Sequence, residues 1–495
     1  MPVTVVAPAD RTSGEDLRAL VESYVRQYPA GAGDCLRLTA GDSDPQVLFG
    51  AVAGLLGELG WDPELAPDIE IMPGQPLDVA RPGHLVLATG DEVRAVGAAG
   101  SLPLETAWLP GPPDSAVTAL RRLIGYAGVM WVAETRRASG YASEARMFVQ
   151  SLDEAQLEPG LAWPEPTRDE ITLSFETERL LRRSEQRRPE PAGTLAVWHR
   201  QPVPAHNFSA FAASACRTMW ETDTLPGDWP ALLNGYDRVW VPTPFNLEGF
   251  VDAGVDERRL RILPGTVDFD LYRPTGPRLP LPERRGFAFL STFDFQERKG
   301  WRPLLEAYAR EFDADDDVTL VLKIETIFAD VATVRSRIDA FLAGLGIPAG
   351  RLPHIVLLHE RLSDAEMPHL FRACDAYVSP TRGEGWGRPL MESLACGLPV
   401  ITSRWSGQLA FLDDSNAWLV DGRLVPVPDD VDIPVFRGGR WFDPDVDALS
   451  AAMRAVCSAP AAAAAKARVA REPMCERFGR SAIAERVAEL VLDAL

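Results

Sequence analysis

At 495 residues and 46% hydrophobic content, the chain has material for two to four domains with packed cores. Its formal net charge of −21 repels nucleic-acid phosphate, so no nucleic-acid partner is expected. No run approaches the roughly 18 apolar residues of a membrane span, the start carries no basic leader segment, and the six cysteines form neither a Cys-x-x-Cys pair nor a His/Cys cluster. A cytoplasmic location, no disulfide framework and no zinc site are the expectations.

In chain order, residues 1–115 read as strands at 3–6, 35–38, 68–71, 84–87 and 102–106 with helical stretches between them, the alternation of parallel βα units. A second set follows at 129–132, 194–198, 217–220, 238–241 and 261–263. The proline-dense segment from Tyr272 to Pro282 reads as a linker. A third set runs at 287–292, 318–323, 354–358, 375–380 and 398–402. The first set has the look of a second copy of the third, with Ser101-Leu-Pro-Leu-Glu-Thr-Ala standing where the third has Gly397-Leu-Pro-Val-Ile-Thr-Ser; coincidental βα spacing is the alternative. Where the third has Arg382-Gly-Glu-Gly-Trp-Gly-Arg388, the first has only Asp91-Glu-Val-Arg-Ala-Val-Gly-Ala98. Residues 1–115 are therefore expected to be structural, or a protein-interaction or oligomer surface. The basic run from Arg179 to Arg188 reads as a solvated helix face, with weak peripheral contact to anionic lipid as its other reading.

Chemistry concentrates in Thr381-Arg-Gly-Glu-Gly-Trp-Gly-Arg-Pro-Leu-Met-Glu392, between the strand at 375–380 and a helix opened by Pro389. The turn sits at a helix N-terminus, where free backbone N–H groups and the positive end of the dipole favour a phosphate. Gly385 and Gly387 let a ligand approach the backbone. Glu384 is placed to accept hydrogen bonds from sugar hydroxyls, and Glu392, one turn into the helix, from a ribose. A Rossmann fingerprint fits less well, because it needs Gly-x-Gly-x-x-Gly directly after a strand. A capped helix with two solvated glutamates is the plain structural alternative.

The run from Gly383 to Gly397 with Leu398-Pro-Val-Ile-Thr-Ser resembles the donor-site signature of family-4 glycosyltransferases, retaining enzymes of the GT-B fold. Phe293-Asp-Phe-Gln-Glu-Arg-Lys-Gly-Trp301 is similar to the family's phosphate-binding loop, and Trp220-Glu-Thr-Asp-Thr-Leu-Pro226, Asp237 to Thr243 and Leu263-Pro-Gly-Thr-Val-Asp268 are similar to parts of its N-terminal domain. The resemblance covers residues 126–495. It implies an α/β architecture of two doubly wound Rossmann-like domains facing a cleft, an acceptor domain at 126–272 and a donor domain at 285–470. A C-terminal helix at 475–495 would cross back to the first, and a degenerate Rossmann-like domain precedes them.

The implied activity is retaining, metal-independent transfer of a hexosyl group from a nucleoside diphosphate sugar to a hydroxyl acceptor. That acceptor could be a glycan, a lipid-linked glycan or a secondary metabolite; no cofactor is required. Arg298 and Lys299 would neutralise the diphosphate in place of a metal. Many relatives carry an arginine where this chain has Thr292-Phe293, a task that would pass to Arg298. Glu392 would hold the ribose and Glu384 the donor sugar beside the N–H groups of Gly385 and Trp386. Gly387, Arg388, Pro389 and Leu390 would line the phosphate end. Gly140, in Ala138-Ser-Gly-Tyr-Ala-Ser-Glu144, is the candidate for backbone approach from the acceptor domain. His199 would stand near the reacting sugar carbon, with a structural hydrogen-bonding role as its alternative. Glu221 and Asp223 are candidates to meet the acceptor or to cap a helix. A nucleotide-sugar epimerase and a non-catalytic sugar-nucleotide-binding protein remain the competing functions.

Overall fold

The computed structural model describes residues 128–137, 139–155, 157–163, 171–325 and 330–495, with five strands before them. It divides into two compact units, Met1–Gly128 and Val129–Leu495. In the first, β1 (Thr4–Pro8), β2 (Cys35–Thr39), β3 (Ile69–Met72), β4 (Leu85–Ala88) and β5 (Ser101–Pro103) form a sheet in the order β3-β2-β1-β4-β5. All four of its strand pairs are parallel. The helical stretches expected between these strands lie outside the described residues.

The second unit holds two Rossmann-like domains. The first domain comprises β6 (Gly128–Val132), α1 (Gly140–Glu154), β7 (Gly160–Ala162), α2 (Phe175–Gln186), β8 (Thr194–His199), β9 (Ala213–Arg217), β10 (Arg238–Val241), α3 (Pro244–Asp252) and β11 (Leu260–Ile262). Its sheet order is β11-β10-β9-β8-β6-β7. The strand expected at 217–220 lies instead at Ala213–Arg217. Ala-Ser-Ala-Cys has no bulky apolar run to betray it, yet small residues suit a central strand buried throughout. The chain leaves the sheet after Arg217, which turns 218–223 into a loop. The three-residue β7, Gly-Leu-Ala, was not expected at all.

The second domain comprises β12 (Phe287–Asp294), α4 (Trp301–Glu311), β13 (Val318–Glu325), α5 (Val331–Gly344), β14 (Ile355–Leu358), β15 (Ala376–Ser379), α6 (Arg388–Ala395), β16 (Val400–Ser403) and β17 (Trp418–Val420). An antiparallel ribbon of β18 (Gly422–Pro426) and β19 (Arg440–Pro444) follows, then α7 (Val446–Ser458), α8 (Pro460–Phe478) and α9 (Arg480–Ala494). Its parallel sheet runs β14-β13-β12-β15-β16-β17, so its first five strands repeat the order seen in the first unit.

Two features differ from expectation in ways that bear on the site. The proline-dense 272–282 segment is laid onto the second domain rather than free: Leu279 N–H donates to His369 O at 2.9 Å, Arg372 Nε donates to Pro277 O at 2.8 Å, and Tyr272 joins the core. The ribbon, unforeseen, crosses to the first domain. Val427, Val431, Phe436 and Trp441 belong to the same buried cluster as Trp220, Leu225 and Trp229. Arg440 clamps Asp223 there through its backbone N–H at 2.6 Å and Nε at 2.7 Å. Helix α9 also reaches the first domain, with Arg480 paired to Glu154 of α1 at 3.2 Å and Asp493 to Arg238 at 2.8 Å. No single described helix is long and apolar enough to cross a membrane.

Candidate functional site

In a doubly wound sheet the crevice opens beyond the C-terminal ends of the two strands where the strand order reverses. In the second domain these are β12 and β15, and both expected donor loops leave from them. After β12 the turn Glu297–Lys299 carries Arg298 and Lys299; after β15 comes the run to Gly387. The loops are knitted together: Arg382 N–H donates to Arg298 O at 2.7 Å, and Gly300, at φ +69°, lies so close to Pro380 that a Cβ there would stand 1.9 Å from its carbonyl oxygen.

At this junction Lys299 Nζ donates to Glu384 Oε1 at 2.7 Å, Thr381 Oγ1 donates to the same oxygen at 3.1 Å, and Arg298 Nη1 lies 3.3 Å from Oε2. Arg298 also donates to Gly383 O and stacks over Phe436 at 5.6 Å. Burial opposes the charge on Glu384, but Lys299 and Arg298 outweigh it and hold the carboxyl below its usual range. Ser406, a non-glycine residue at φ 79°, receives the Glu384 N–H on its Oγ at 2.9 Å. Such strain persists where surrounding contacts fix it, often at functional sites. The Ser406-Gly407 turn signal could have flagged the place but not the bond.

The backbone N–H groups of Gly385, Trp386 and Gly387 meet no protein acceptor among the described residues, and Gly387 turns at φ +90° into α6. This arrangement leaves a row of donors at a helix N-terminus beside two cations, suited to an anion. The side chains of Trp386 and Leu390 point elsewhere, into the core with Phe411 and Phe478. Pro389 opens α6. Arg388 is turned from the cations to Glu392, 2.9 Å away, and to Thr266 O at 3.2 Å. Burial raises the pKa of Glu392 despite Arg388. Among the described residues no three His, Cys, Asp or Glu side chains gather as a metal would need.

In the first domain the order reverses between β6 and β8, and Gly140 and His199 follow from these strands. Gly140 is exposed, and a Cβ there would meet nothing within 4 Å. His199 is buried. Its Nδ1 accepts from Trp131 Nε1 at 3.2 Å, which places the proton on Nε2, donated to Glu144 Oε2 at 2.8 Å. Glu144 Oε1 holds Arg217 at 2.7 Å. Burial lowers the His199 pKa and keeps the ring neutral, with both nitrogens occupied within the protein. Lys323, one of three lysines in the chain, is buried in β13 and pairs with Glu325. Within the basic run, Arg182 pairs with Glu178 at 2.6 Å and Arg183 with Asp153 at 2.5 Å.

Residues 284–433 match the family described as Glycosyl transferases group 1. A D-inositol 3-phosphate glycosyltransferase from Geodermatophilus obscurus is 31% identical over 197 residues, 38% of this chain and 42% of that protein. A phosphatidyl-myo-inositol mannosyltransferase from Mycobacterium leprae is 26% identical over 238 residues, 48% of this chain and 49% of that one. The chain thus spans less than half the length of these two relatives. Among solved structures, an OtsA apo structure superposes with a TM-score of 0.51 over 74% of this chain and 99% of that one at 13% identity, a likeness of fold. The two facing Rossmann-like domains are the GT-B fold.

Proposed function

We propose that this chain, whose residues 284–433 are a Glycosyl transferases group 1 domain within a GT-B fold, moves a glycosyl group from a nucleoside diphosphate sugar to an acceptor hydroxyl with retention of configuration. The observation that carries this is the meeting of Arg298, Lys299, Glu384 and the unbonded N–H groups of 385–387 at the switch point of one sheet. The names of the sequence relatives favour a hexosyl donor such as a mannosyl one and an inositol-type polyol acceptor, free or lipid-linked.

As the bond from the anomeric carbon to the β-phosphate breaks, negative charge grows on the phosphate. Arg298 and Lys299 are already ordered there, so stabilising that charge requires little reorganisation. Glu384, released from part of its cation contact, accepts hydrogen bonds from the sugar hydroxyls, and Glu392 from the ribose. No step is assigned to a metal, and turnover in EDTA is expected to match turnover without it. Both carboxylates lie on one loop and helix, which disfavours a glycosidase pair flanking the bond.

The test offers UDP-glucose, GDP-mannose and TDP-glucose with D-inositol 3-phosphate, phosphatidyl-myo-inositol, glucose and methyl α-mannoside as acceptors, and follows diphosphate release and product. One donor should be transferred, and Lys299→Ala and Glu384→Ala should abolish most of it. Full activity in both variants, or isomerisation of the donor with no acceptor present, would overturn the assignment.

A further inference from the structure

Two acids on the first domain, Glu221 and Asp223, stand near the cleft, and the structure separates them. Asp223 gives both oxygens to Arg440 and so belongs to the ribbon clamp. Glu221 receives no hydrogen bond from another described residue; its nearest cation is Arg298 Nη2 at 3.5 Å, and its side chain is 17% exposed. Its place is fixed by backbone, because a Cβ on Gly383 would stand 1.9 Å from the Glu221 carbonyl oxygen. The loop after β9 therefore presses this carboxylate from the first domain against the cationic centre of the second.

We propose that Glu221 is the acceptor-binding carboxylate, receiving the hydrogen bond of a hydroxyl next to the attacking one and so holding the attacking oxygen beside the donor sugar carbon with its own proton turned to the phosphate. This rests on the glycosyl-transfer reading above. When a diphosphate engages Arg298, Glu221 loses its nearest cation and needs a hydrogen-bond donor, which an acceptor hydroxyl supplies. In the transfer the bond between the anomeric carbon and the phosphate oxygen breaks with its electron pair left on the phosphate. The acceptor oxygen bonds that carbon, and its proton passes to the departing phosphate. Glu221 orients the acceptor through the neighbouring hydroxyl and ends unchanged. Burial, with Glu384 nearby, raises its pKa against the pull of Arg298 and Lys299, as expected of a carboxylate awaiting a partner.

The decisive comparison is Glu221→Gln and Glu221→Ala, both checked for unchanged melting, against the wild type and Asp223→Asn, with the donors and acceptors named above. For the Glu221 variants kcat/KM for the acceptor should fall about 100-fold, the scale of a misplaced reactant. The donor Kd and the rate of donor hydrolysis by water should stay within about twofold of wild type. Asp223→Asn should lower the melting temperature and leave the acceptor KM in place. If wild type transfers and Glu221→Gln matches it, or loses hydrolysis and transfer equally, Glu221 has no acceptor role. If wild type turns over no donor with any acceptor, the transfer reading itself fails and takes this assignment with it.

Discussion

Glu384 keeps its charge inside the protein because Lys299 and Arg298 lie on it. Removing Lys299 leaves a nearly buried carboxylate with half its compensation, a loss of about 2–4 kcal/mol. It should also slow transfer by about 100- to 1000-fold through lost charge stabilisation. The double variant Lys299→Met, Glu384→Gln separates the two effects: stability in urea should recover relative to Lys299→Met alone while transfer stays low. Joint recovery would show that the pair serves structure only. The same side chains set the acid limb of stability. With its folded pKa lowered, Glu384 contributes stability above its unfolded value of about 4.3, lost as pH falls through the folded pKa. His199 is held neutral by burial, so the unfolded chain takes up a proton first and stability begins to fall as pH drops below about 6.5. Urea titrations from about pH 8 to about pH 3 should show Glu384→Gln flattening the lower part of that limb and His199→Gln the upper part. Unchanged limbs would refute both assignments.

The element that sets the cationic centre is the pair of loops after β12 and β15. Gly300 permits their approach, and Gly300→Ala should cost about 1–3 kcal/mol in backbone strain and weaken donor binding about tenfold as the loops part. Calorimetry with the diphosphate measures the second effect, and unaltered affinity would show that the contact is incidental. These loops were legible because glycines, charges and a helix-opening proline lie together along the chain. Arg388 was not, since its turn toward Thr266 depends on the first domain's exit segment, and neither was the Glu144, His199 and Arg217 network, whose members are remote in sequence. The central strands of the second domain were legible as β-branched and aromatic runs, whereas Ala213–Arg217 is too small-residued and the exposed β18 too proline-flanked to carry that signal.

At the scale of the molecule, the ribbon and α9 bind the two Rossmann-like domains into one mechanical body. Trp441, 2% exposed, belongs to the second domain in sequence and to the first in packing. Its replacement by Ala should cost about 3–5 kcal/mol, as for other large aromatic deletions. The two domains should unfold together in calorimetry; two resolved transitions within residues 129–495 would show that the ribbon couples them weakly.

That exchange of segments has a consequence for how the protein is made. The sheet from β6 to β11 leaves the ribosome with Trp220 and Trp229 uncovered, since Phe436 and Trp441, which bury them, are translated much later, and the surface of α1 waits still longer for α9. Of the two Rossmann-like domains, the one synthesised first is thus the last to be completed. A nascent chain paused before the ribbon presents an aromatic patch to chaperones, and a product truncated there is expected to aggregate on expression, which a pelleting assay of residues 129–421 against 129–495 would check.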